Sequence, residues 1–134
     1  MKNCTWVLLF CYLLGAAQEI PPIQQYKSKI SFAGNQNWMI SQDEKGTVYT
    51  ANNKGLLQFR GADWKLNSSP NQSIIRSVKV IDEKICVGSY MDFGFWERSP
   101  NGELLYTSLA KELEVDILED EQFWNIIKKK KKII

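Results

Sequence analysis

The side chains best suited to holding a ligand lie in one short stretch: Tyr90, Phe93, Phe95 and Trp96. Flat aromatic faces stack on rings such as sugars, and ligands are generally met by loops carried on a rigid scaffold. In an extended chain Phe93 and Phe95 share one face while Trp96 points to the other, so at least one of the two sets must be core. Reactive groups are scarcer. The chain contains no histidine, which excludes a histidine base, a histidine metal ligand and a Ser-His-Asp triad. Asp43, Asp63 and Asp92 resemble metal-binding carboxylates, but their spacing fits no calcium loop, and Asp43 and Asp63 sit where turns favour aspartate. Glu112, Glu114, Asp116, Glu119, Asp120 and Glu121 form the densest acidic cluster. Glycoside hydrolysis needs two carboxyls held rigidly across a sugar, and this cluster offers no such pair, so it reads as a solvated face. No catalytic residue, no metal site and no cofactor is expected; the chain reads as non-enzymatic.

The elements that must position these residues belong to a chain of 134 residues, 44% apolar, 24% charged and 12% aromatic, with a net charge of +2. Such a composition excludes a wholly disordered chain, and the aromatic share suits a β-rich fold. The amino terminus reads as a secretory signal. Lys2 is followed by an apolar run, Cys4 to Leu14, and then by Gly15, Ala16 and Ala17. An uncleaved anchor is the competing reading, but a bilayer needs about 20 apolar residues and this run is much shorter. Lipidation at Cys11 is disfavoured because Phe10, before it, is not small. Cleavage is predicted after Ala17, which makes the chain exported and periplasmic, with no membrane span after cleavage. Cys4 and Cys11 leave with the signal, so Cys86 stays alone, without an internal disulfide. Within Ile85-Cys86-Val87 it reads as a small buried hydrophobe.

Charge is unevenly distributed. Residues 128–132 are five consecutive lysines, whereas residues 18–127 carry 11 Lys and Arg against 15 Asp and Glu, a net charge of −4. A basic tail suits an anionic surface. An exported chain seldom meets nucleic acid, so no nucleic-acid partner is expected. Lysine codons are adenine-rich, and five in a row imply a tract on which reading frames slip. The tail also follows Phe123-Trp124-Asn125-Ile126-Ile127, which reads as a strand opening. It is read either as a frameshift product or as a native basic anchor.

Between these ends one pattern occurs twice. Trp38–Ser41, Thr47–Ala51, Leu56–Phe59 and Trp64–Leu66 read as short strands separated by Asp/Gly and Asn/Gly turns. Ile74–Val80, Ile85–Gly88, Asp92–Trp96 and Leu104–Thr107 repeat the set, with the turn Ser99-Pro100-Asn101-Gly102 before the last strand. Val48 and Ile85 are 37 residues apart, as are Phe59 and Trp96. A four-strand unit repeating at about 40 residues marks β-propeller blades. The expected fold is all-β: two four-stranded antiparallel blades of an incomplete β-propeller, with a short helix or loop insertion near 110–120. The predicted organisation is a signal at 1–17, a lead-in at 18–36, blade 1 at 37–72, blade 2 at 73–109, an acidic insertion at 110–121, the start of blade 3 at 122–127 and a lysine-rich tail at 128–134. Leu109, Leu113, Ile117 and Leu118 fall at helical spacing within the insertion.

The order Trp38-Met39-Ile40, Asp43 and Gly46, Val48-Tyr49, Ala51-Asn52, Gly55-Leu56, Phe59 and Trp64 resembles the repeat of two-component regulator propellers. Ile75-Arg76-Ser77-Val78 through Met91-Asp92-Phe93-Gly94-Phe95-Trp96 is similar to the next blade of the same proteins. Together, behind a signal peptide, they resemble the amino-terminal part of triple-tyrosine-motif sensor-regulators with a LuxR-type helix-turn-helix. The resemblance implies a periplasmic sensor whose propeller takes a glycan fragment or another extracellular small ligand, joined through a membrane helix to a signalling output. The sequence departs from that pattern in holding about two blades, with no triple-tyrosine domain, kinase histidine or helix-turn-helix. On this reading the chain is a truncated sensor fragment, inactive alone. The alternative is a short secreted binding protein with a basic tail.

Overall fold

The computed structural model describes residues 21–24, 33–129 and 132–133. The predicted signal and its cleavage point after Ala17 lie outside the described residues, as does most of the lead-in. The chain builds two four-stranded antiparallel sheets, each in strict sequence order. The first holds β1 (Asn37–Gln42), β2 (Val48–Asn52), β3 (Gly55–Arg60) and β4 (Asp63–Asn67). The second holds β5 (Ile75–Ile81), β6 (Lys84–Ser89), β7 (Phe93–Arg98) and β8 (Leu104–Ser108). All eight strands fall where the alternation and turn signals put them, with ends displaced by a residue or two.

Local chemistry sets the turns. Asp43 accepts the backbone N–H groups of Lys45 (3.0 Å) and Thr47 (2.8 Å) on Oδ1 and the Tyr49 hydroxyl (3.2 Å) on Oδ2. Gly46 completes that turn at φ 80°, a left-handed conformation that glycine adopts without penalty. Asn52 is fully buried and holds the chain entering β1. Its Nδ2 donates to the carbonyls of Gly34 (2.7 Å) and Gln36 (3.0 Å) and to Asn37 Oδ1 (2.8 Å). Its Oδ1 accepts from the N–H groups of Gly34 (2.9 Å) and Lys54 (3.0 Å).

The 37-residue spacing has a structural meaning. Val48 pairs across the first sheet with Phe59, and Ile85 pairs across the second with Trp96. Strand register sorts the side chains by face. Met39, Tyr49, Ala51 and Leu56 share one face of the first sheet, while Ile40, Val48, Leu57, Phe59, Trp64 and Leu66 share the other. In the second sheet Val78, Ile85, Val87, Trp96 and Tyr106 lie on one face and Cys86, Phe93 and Phe95 on the other. Tyr49, Ala51 and Leu56 pack against Ile75, Val78, Ile85, Val87 and Trp96 to form the main core. Each such aliphatic side chain, once fully buried, stabilises by about 1.5–3 kcal/mol. The sheets stack with β1 beside β5. The face of the second sheet used in this stack is the repeat counterpart of the first sheet's outward face, where Ile40 remains 68% exposed. This is the packing of successive blades in an incomplete, unclosed propeller.

After β8 the expected short helix or loop is present, and the expected strand opening is not. The helical spacing of the 110–121 insertion yields only one turn, α1 (Leu109–Glu112), capped by the Ser108 hydroxyl, which accepts from Lys111 N–H (3.2 Å). Glu114 then takes a positive φ of 49°, ending the helix and leaving Leu113, Val115 and Leu118 exposed. The segment 122–127 is not a strand. Among the described residues it makes one bridge, Gln122 to Tyr90, and no ladder. It is nevertheless seated on the second sheet. Phe123 N–H donates to the Ser89 carbonyl (3.2 Å), the Phe123 carbonyl accepts from Ser77 Oγ (2.8 Å), and Ile126 packs beside Ile81 and Cys86. Gly88 permits the approach, since a Cβ there would lie 2.5 Å from the Phe123 carbonyl oxygen. In the tail, β9 (Lys128–Lys129) pairs with β10 (Lys132–Ile133), and Lys128 Nζ reaches Asp82 Oδ1 at 2.9 Å.

Candidate functional site

The four aromatics singled out by sequence do not form one surface. Trp96 is 5% exposed and packs in the core between the sheets, its ring 5.1 Å from that of Tyr106. It is therefore a packing residue and faces no ligand, because the alternation that directs Phe93 and Phe95 outward turns Trp96 towards the first sheet. Phe93 and Phe95 do share the opposite face. Phe93 lies against Phe123, with centroids 5.0 Å apart, and Phe95 sits under Lys84 Nζ at 3.5 Å. Segment 122–127 packs over this face. Tyr90 stands at the loop end of the second sheet and donates its hydroxyl to Asp120 Oδ1 at 2.6 Å.

Of the two carboxylates read as turn formers, Asp43 accepts the N–H groups of its own turn. Asp63 is exposed at the start of β4. Asp92 is buried and fully occupied: it accepts Tyr106 OH (2.9 Å) on Oδ2 and Ser108 Oγ (2.6 Å) on Oδ1. Burial, reinforced by the negative Asp92, pushes the Tyr106 phenol far above its usual range. Burial likewise raises the Tyr49 phenol and the Cys86 thiol. A buried thiol with a raised pKa is a poor nucleophile. Glu112 through Glu121, the acidic cluster, is exposed. Among the described residues, no group of His, Cys, Asp and Glu is arranged to hold a metal ion.

The structure assembles a different constellation at the end where β1 and β5 begin. Trp38 is the second residue of β1, Arg76 the second of β5, and Trp124 comes from the segment seated on the second sheet. The Arg76 guanidinium carbon lies 4.2 Å from the Trp38 ring centroid and 4.6 Å from that of Trp124. The two indoles meet edge to face, 5.5 Å apart at an interplanar angle of 85°. Cation–π contacts hold a guanidinium without neutralising it. Arg76 Nε donates to Gln122 Oε1 at 2.7 Å, while its Nη1 is buried with no acceptor. Trp38 is fixed from below, its Nε1 donating to Asn53 Oδ1 at 2.7 Å. Trp124 is 52% exposed.

The two sheets and the segment 122–127 thus contribute one side chain each to a single stack. Sequence reasoning did not assign these three residues to a site. The available signal was the likeness of Gln36-Asn37-Trp38 to Gln122-Phe123-Trp124, which places a tryptophan at the same point of two repeats. At the opposite end, Arg98 donates to the Gly102 carbonyl (2.8 Å) and to Tyr49 OH (3.4 Å), tying the second sheet to Asp43 of the first through Tyr49.

No family model, curated protein or solved structure matches the chain. No helix among the described residues is long and apolar enough to cross a membrane.

Proposed function

We propose that the chain is the amino-terminal part of an exported, ligand-sensing β-propeller from a membrane-spanning signal-transduction and transcription regulator, binding a ligand without catalysis and inactive by itself. The observation that supports this reading is the repeated packing step. The second sheet sits on the first, and segment 122–127 sits on the second, each through the same face of the sheet below. A fold built by repeating one step calls for further blades until few edges remain bare, which takes four to eight. The Trp38–Arg76–Trp124 stack, with an exposed indole and an unanswered donor, favours binding over chemistry.

The test is to sequence the gene across the codons for Lys128 to Lys132 and translate every downstream frame. The reading expects a frame that resumes with short strands and Asp-x-x-Gly turns, followed by a membrane helix and an output domain. A stop in every frame would overturn it and leave a short secreted binding protein with a basic tail.

A further inference from the structure

We infer that the Trp38–Arg76–Trp124 stack is a binding site for a carboxylate carried on a flat-faced ring. The inference rests on the reading of the chain as a non-catalytic binding module and names the ligand class of that module. Arg76 is the first argument. Its described hydrogen-bond partner is the neutral amide oxygen of Gln122, and the ion pairs among the described residues are Lys84–Glu97 and Lys128–Asp82. The guanidinium therefore has no described counter-ion, and Nη1 is buried without an acceptor. A guanidinium presents its donors as a planar fork that matches a carboxylate. The second argument is the wall. Trp124 is half exposed and stands on a segment that forms no strand, so it is the side of the stack that yields to an entering ligand. Once displaced, its indole face is available to a ring attached to the carboxylate. A neutral ring leaves the guanidinium without a counter-charge, and a bare anion leaves the indole unused; a carboxylated ring satisfies both. Uronic-acid saccharides and aromatic carboxylic acids share this chemistry.

The experiment follows the indole N–H signals of Trp38 and Trp124 by nuclear magnetic resonance. The full chain is titrated separately with trigalacturonate, benzoate, maltotriose and inorganic phosphate. Trigalacturonate or benzoate is expected to shift both signals in one saturable process, and the tighter of the two identifies the source of the carboxylate. Arg76→Gln is expected to weaken that binding at least tenfold, with Arg76→Lys recovering only part of it, and Trp124→Phe, which keeps an aromatic wall, is expected to weaken it less. Equal shifts with maltotriose, equal shifts with phosphate, unchanged affinity in Arg76→Gln, or no shift with any compound would each overturn the site. Saccharide binding that moves other signals and leaves these two in place would also overturn it, while leaving the sensor reading intact. The downstream gene sequence tests the sensor reading independently.

Discussion

Single residues fix how the blades are built and how they respond to pH. The buried Asn52 satisfies backbone groups of Gly34, Gln36 and Lys54, so Asn52→Ala leaves several part-buried donors and acceptors without their partner. The expected cost is roughly 2–4 kcal/mol, read as a lower urea midpoint. Tyr106 sets a limit at high pH. Its phenol is held protonated in the fold by burial and by Asp92, whereas an unfolded tyrosine ionises near pH 10. Below that pH both states are neutral. Above it only the unfolded state gains from ionisation, so stability falls as pH rises past about 10. Tyr49, raised mainly by burial, acts in the same direction. The urea midpoint is expected to be level from pH 7 to 8, to ease down towards pH 10 as the unfolded Cys86 thiol ionises, and to drop more steeply above 10 as the tyrosines follow. Tyr106→Phe should flatten that drop while lowering stability at pH 7, where Asp92 Oδ2 loses its donor. A midpoint that stays level through pH 11 in the unmodified chain would contradict this.

At the scale of elements, the strands were legible and the segments after them were not. Alternation and turn residues are local signals, and Asp43, Gly46 and the 37-residue spacing carried them faithfully. Segment 122–127 has strand-like composition but makes one isolated bridge among the described residues, and composition does not encode pairing. The insertion, legible as a short helix or loop, is both in turn: the helix stops after one turn because a longer one needs a surface to cover its apolar stripe, and Leu113, Val115 and Leu118 are exposed. The Arg76 stack was hidden because its parts are distant in sequence and join only when the two sheets and segment 122–127 pack together. Segment 122–127 should therefore be the weakest seated element. Hydrogen exchange at Trp124 and Ile127 is expected to run orders of magnitude faster than at Val87, inside the sheet. Equal protection would show a third strand already formed. Gly88→Ala is expected to unseat the segment, since the added Cβ meets both Phe123 and Ser77 Oγ, at a cost of about 1–3 kcal/mol. The Trp38 and Trp124 indole signals would report the separation.

The whole molecule spends its apolar surface on neighbours. The inward face of the first sheet and the facing side of the second make one core, but the outward face of the first sheet, where Ile40 is 68% exposed, is the counterpart of a surface that the second sheet buries. Bare sheet edges and apolar faces promote association. The account therefore predicts that the chain made alone is marginally stable and self-associates, and that attaching a further blade makes it more soluble. The most direct test is thermal unfolding of the purified chain, with its mass in solution measured by sedimentation at several concentrations. The account predicts a broad, irreversible transition and a mass that rises with concentration. A sharp, reversible transition of a monomer would contradict it, because two blades would then be a complete fold.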